Sequence, residues 1–109
     1  RGGFGGRDTI VNRLSSYAEA DDHTGIGLLF AYMGAAEHVN RHNEHGMTPL
    51  QVAARAGSLQ SFKELLARGA DLNARSWDGR RFHHYLSPND LNTPKILEVA
   101  SLHSQMGRS

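Results

Sequence analysis

Two glycines, Gly46 and Gly79, stand 33 residues apart, and between them the chain spells out one complete helix-turn-helix unit and the beginning of another. Thr48 offers a hydroxyl that can cap a helix start, and Pro49 suits the first helical turn because its missing N–H has no intrahelical partner there. Ala53 and Ala54 let a neighbouring helix approach closely. Gly57 supplies a left-handed turn, after which Leu59, Phe62, Leu65 and Leu66 recur at i, i+3, i+6 and i+7 as the inward stripe of a second helix. Gly69 then reads as its C-cap. A unit of this kind cannot bury its apolar faces alone, so it must be stacked against similar units.

The run Thr48-Pro49-Leu50-Gln51-Val52-Ala53, with its 33-residue spacing, resembles an ankyrin repeat, whose signature is T-P-L-H-x-A followed by two short helices. Glutamine stands at position 51 where that signature has histidine, and its amide is expected to brace neighbouring turns as the imidazole would. The resemblance implies an all-α fold, an ankyrin-type helical solenoid of about three helix-turn-helix repeats with hairpin-like finger loops. It also implies a concave binding surface made by the fingertips and the first-helix faces.

On either side of the central repeat, 46–78, the pattern diverges. Residues 8–45 are expected to form an N-terminal capping repeat. Ile10, Val11, Leu14, Tyr17 and Ala18 share one helical face behind an Asp8 or Thr9 N-cap. Asp21 to Gly25 breaks that helix, and a second follows with Ile26, Leu29, Phe30 and Met33 as its stripe, widened by Leu28 and Tyr32. So apolar a helix is expected to be buried on more than one side. Gly34 to Asn40 resembles Gly69 to Asn73 with two residues inserted, and Asn40 and Asn73 are again 33 apart. Arg41 to His45 would be the connecting finger.

Residues 79–105 are expected to form a C-terminal capping repeat. Phe82-His83 stands where Leu-His usually does, with one residue deleted, and Ser87 to Asp90 is turn material. Thr93-Pro94 marks a last helix capped by Thr93, with Ile96, Leu97, Ala100 and His103 inward and Lys95, Glu98, Ser101 and Gln105 facing water. Residues 106–109 are a tail.

The glycine-rich opening, Arg1 to Arg7, reads as a flexible leader or linker. Its Arg1, Phe4 and Arg7 also suit a single RNA-binding RGG element, the less favoured reading because such tracts act through many copies. The absence of an initial methionine reads as a portion of a longer protein.

Seven histidines invite a metal, and His38, His42 and His45 would share a face if they lay on one helix. Between Gly34 and Gly46 they fall in a connector instead, so no metal and no cofactor are expected. His83 and His84 read as structural, one in the buried bracing position and the other outward. No nucleophile elbow, phosphate-binding loop or isolated carboxylate pair is present, and the chain is read as non-catalytic.

A formal charge of +1 gives no ground for a partner chosen by net charge, nucleic acid included, and the longest apolar run, Gly25 to Ala36, is too short to span a bilayer. With no cysteine, an intracellular, cytoplasmic location is expected. Trp77, the sole tryptophan, stands at a fingertip where it either covers the adjacent finger or contacts a partner. Arg75, Arg80 and Arg81 flank it, and arginine and tryptophan are enriched at binding hot spots. The concave face implied by the resemblance adds Arg41, Gln51 and Arg55. The expected partner is therefore another protein, acidic and aromatic in character, or alternatively an enzymatic domain of the parent chain that this region positions or regulates; RNA bound by the leader together with the arginine-rich finger is the less favoured third reading.

Overall fold

A computed structural model describes residues 6–106, with side chains from Ile10 onward. Its elements are α1 (Gly6–Glu19), α2 (His23–Tyr32), a 3-10 turn (Ala35–His38), α3 (Pro49–Ala56), α4 (Leu59–Ala67), a second 3-10 turn (Phe82–Tyr85) and α5 (Thr93–Met106). No strand occurs among the described residues, and no described helix is long and apolar enough to cross a membrane. The fold is a helical, ankyrin-type stack. α1, α3 and Phe82–Tyr85 form an inner layer, and α2, α4 and α5 an outer one.

In the central unit the sequence signals become geometry directly. The Thr48 hydroxyl accepts from Gln51 N at 3.3 Å while Gln51 Oε1 accepts from Thr48 N at 2.9 Å, a reciprocal capping box at the start of α3. Every residue from Pro49 to Ala54 is buried, because α1 lies on one side of α3 and the Phe82–Tyr85 turn on the other. Gly57 has φ +71°, and an added Cβ there would stand 1.9 Å from an Asp90 carboxylate oxygen, so the turn between α3 and α4 is closed to other residues for two reasons. Leu14, Ile26, Leu50, Phe62, Leu65 and Ile96 form the centre of one continuous core.

Several expectations for the flanks are corrected. α1 begins at Gly6, so Asp8 and Thr9 are inside the helix rather than capping it, and of the expected leader only residues 1–5 lie outside the described chain. α2 is capped by Asp22, whose Oδ1 accepts from Gly25 N at 2.9 Å. It is buried at Ile26 and Leu29 only. Leu28 is 54% exposed, Tyr32 78% and Met33 49%, against the expectation of burial on more than one side. Hydropathy reported the helix's composition, but α1, the first 3-10 turn and α4 together leave the Leu28–Tyr32 edge uncovered.

In the last unit there is no deletion. Arg81 N donates to His84 Nδ1 at 3.1 Å, as Thr48 N does to Gln51 Oε1, so the spacing of 33 continues and His84, not His83, occupies the bracing position. Both histidines are exposed, and Phe82 takes the buried place, its ring centroid 5.4 Å from that of Phe62. α5 takes its first helical bond from Ile96 N to Asn92 O, placing the cap at Asn92; the Thr93 hydroxyl donates to Ser87 O instead. Its stripe is Ile96, Val99, Ala100 and His103, while Leu97 turns outward.

Candidate functional site

The connectors between units form two hairpin-like fingers built to one plan. In the first, Asn43 N donates to Met47 O (2.8 Å) and Gly46 N to Asn43 O (3.0 Å). In the second, Ser76 N donates to Arg80 O (2.8 Å) and Gly79 N to Ser76 O (2.9 Å), the same bonds moved on by 33 residues. Even the side-chain closure is repeated. Asn43 Oδ1 accepts from Met47 N, and the Ser76 hydroxyl accepts from Arg80 N.

The two fingers are then tied to each other at three levels. Asp71 N donates to Asn40 Oδ1 (2.7 Å), His42 Nε2–H donates to Arg75 O (2.6 Å), and Trp77 N donates to Gly46 O (2.9 Å). From below, the Gln51 amide donates to Ala74 O (3.0 Å) and Arg80 O (3.1 Å), at the two ends of the second finger. Gln51 is 1% exposed, so it is withdrawn from the expected contact surface: burial has committed all its polar atoms to bracing.

Trp77 covers the adjacent finger, the first of the two roles expected for it. Its ring lies over Gly46, where an added Cβ would come within 2.6 Å of the indole, and its centroid is 6.2 Å from that of His42. The side chain nevertheless remains 71% exposed. Arg75 and Arg80 stand on the same finger, both exposed; Arg75 Nη1 reaches Gly79 O, and Arg80 pairs with Asp78 at 3.5 Å. Arg81 is half-buried at the base of this finger, and Arg41 is exposed at the foot of the first. Arg55 lies apart from them at the end of α3, with Nη1 3.4 Å from Met47 Sδ.

The Asp78 carboxyl is held below its ordinary range, chiefly by the Ser76 hydroxyl that donates to it, and further by the Arg80 N–H and guanidinium, against a smaller desolvation. Tyr85 donates to Ser76 Oγ at 2.8 Å, fastening the finger to the turn that follows it.

Between α1 and the fingers runs a groove with two adjoining hollows of about 320 and 350 Å³. Asn12, Asn43 and Glu44 are common to both; the first hollow extends to His42 and Trp77, the second to Glu19 and Arg55. The groove is thus of mixed charge, and its acidic and amide groups were missed in the sequence. The available signal was α1 itself, whose polar residues Asn12, Ser15, Ser16 and Glu19 lie off its apolar stripe. The histidine trio does not converge: His38 ends the first 3-10 turn, His42 is bonded to Arg75, and His45 lies beside Glu44. No group of three or more potential metal ligands occurs among the described residues.

Compared with known families, residues 45–77 match the model of the ankyrin repeat. No curated protein matches the chain. Ankyrin repeats are in general protein-interaction modules, typically without catalysis.

Proposed function

We propose that this ankyrin-repeat chain is a non-catalytic module that grips another protein with the second finger and the groove beside it. The observation that carries this reading is the exposed indole of Trp77 on a finger locked to its neighbour at three levels. A large amphipathic side chain held in one place loses little entropy on binding, which is the condition for a hot spot. Arg75 and Arg80 beside it, with Arg81 at the base and Arg41 across the finger foot, favour an acidic stretch of partner over the fingertips. The groove, with Glu19, Glu44 and Arg55 all in its lining, favours a polar segment of mixed charge.

The test is capture of partners from an extract of the source cells by wild-type protein, Trp77→Ala, and an Arg80→Ala/Arg81→Ala double variant, with Glu98→Ala on the outer layer as control. The expected result is loss of the same partner bands in the first two variants and retention in the control. Identical partners for wild type and Trp77→Ala, with melting unchanged, would place the binding surface elsewhere.

A further inference from the structure

The groove beside the second finger is uneven in charge, and that unevenness distinguishes the parts of a partner that can lie in it. The hollow that reaches Trp77 is lined by one carboxylate, Glu44, and by no lysine or arginine among the described side chains. The adjoining hollow sets Glu19 and Glu44 against a single guanidinium, Arg55. The fingertip has the opposite balance. Arg75 and Arg80 stand on it outside both linings, the first bonded to Gly79 O and the second paired with Asp78.

The first hollow combines an aromatic wall with an acidic acceptor. The wall is the Trp77 indole, 71% exposed, with the His42 ring tilted 31° to it at 6.2 Å between centroids. An indole face attracts a cation through its quadrupole, and a planar guanidinium can lie flat on it where an ammonium cannot. The acceptor is the Glu44 carboxylate, whose two oxygens match the guanidinium fork. Glu44 lies 3.6 Å from His45 Nε2, and a neutral imidazole leaves that carboxylate its charge. His42 spends its Nε2 proton on Arg75 O, so the neutral ring keeps Nδ1 as a further acceptor. Asn43 serves as wall, since its Oδ1 accepts from His45 N and Met47 N while its Nδ2 donates to Ser15 Oγ. Asn12, exposed on α1 and common to both hollows, carries an amide that suits a peptide group passing from one to the other. At about 320 Å³ the hollow is at the small end for a ligand site, with room for one long side chain.

We propose that the partner segment inserts an arginine side chain into this hollow, flat on the Trp77 indole with its guanidinium on Glu44, while acidic residues beside it in the segment meet Arg75 and Arg80. This rests on the reading of the second finger and groove as a protein-binding surface and adds to it the residue by which the partner is anchored.

The sole tryptophan reports on its own site. Its fluorescence is titrated with two capped peptides of two aspartates, two glycines and one further residue, which is arginine in the first and citrulline in the second. Citrulline keeps the shape of arginine without the charge. The arginine peptide is expected to bind roughly tenfold more tightly, as a stacked and hydrogen-bonded cation should, and to weaken with added salt. Glu44→Gln, at an exposed loop position, should cut that preference to about threefold or less, and Glu98→Gln on the outer layer should keep it whole. Equal binding of the two peptides to the wild type, no binding of either at millimolar concentration, or an undiminished preference in Glu44→Gln would overturn the proposal. Capture from extract separates its failure from that of the reading beneath it. Partners lost by Trp77→Ala but kept by Glu44→Gln would overturn the arginine and leave the surface, whereas partners kept by both would remove the surface and the arginine with it.

Discussion

The inner helix of the central unit and its counterpart in the last unit begin in the same way and end differently. Thr48 to Gln51 and Arg81 to His84 make the same bond from backbone N–H to a side chain three residues on. Yet α3 continues for 8 residues, buried from Pro49 to Ala54, while Phe82–Tyr85 stops after 4 with Phe82 alone buried. Ser87 and Pro88 end the second, since the residue before a proline is driven out of helical geometry. The lesson is that the 33-residue translation is kept by the connectors, whose hydrogen bonds repeat one for one, whereas helix length and burial vary from unit to unit. Register belongs to the fingers, and stability to the helices of the central unit.

The sharpest way to break this comparison is at the cores. Leu65→Ala removes a fully buried side chain and is expected to cost about 2–5 kcal/mol, enough to remove the single cooperative transition in denaturant. Ile96→Ala, also from a fully buried site, is expected to act locally. Amide exchange should accelerate across α5 while α3 and α4 stay protected. Equal acceleration in all three helices would show that the last unit shares the central unit's stability.

A smaller effect separates the two braces. Gln51→Ala strands the buried Thr48 N–H and takes the amide away from Ala74 O, while Arg80 O keeps its bond from Ser76 N, at an expected cost of about 1–3 kcal/mol. His84→Ala, on an exposed residue, should change stability by no more than about 0.5 kcal/mol. Chemical denaturation of both variants under one set of conditions decides it, and equal losses would mean that the second brace carries more than its exposure implies.

The smallest effect lies in acid. The folded state holds Asp78 below its ordinary value of 3.8, so its contribution is complete above that value and is lost as pH falls below 3.8 through the depressed one. Asp78→Asn should therefore flatten the fall in melting temperature in that window and leave the curve above pH 5 unchanged in shape. An unaltered acid limb would remove Asp78 from the account of how the second finger is held.

Much of this was legible because particular residues have few alternatives. Thr48-Pro49, the alanine pair and Gly57 each fit one place in a helix-turn-helix unit, and the stripe of α1 survives in the structure at Val11, Leu14 and Ala18. What was missed required knowledge of neighbours. The composition of α2 does not tell which edge its neighbours leave uncovered. Leu97 and Val99 are both apolar, and only the position of α4 decides which turns inward. Gln51 differs from a surface glutamine solely in having the second finger above it. In the last unit the Phe82-His83 pair suggests a deletion, where the bond from Arg81 N to the His84 ring shows none. The ties between fingers left a trace in the spacing of Asn40 and Asn73, but His42 and Arg75, also 33 apart, share no chemistry that would have paired them.

Gly46 has no room for a side chain because the indole of Trp77 occupies it, and Trp77 keeps its orientation because Gly46 is bare and offers its carbonyl. Positions 46 and 77 are therefore a single heritable unit. As this protein drifts among lineages, any residue larger than glycine at 46 should arrive only after the tryptophan has gone, and collected sequences that carry both would show that the second finger rests on something else.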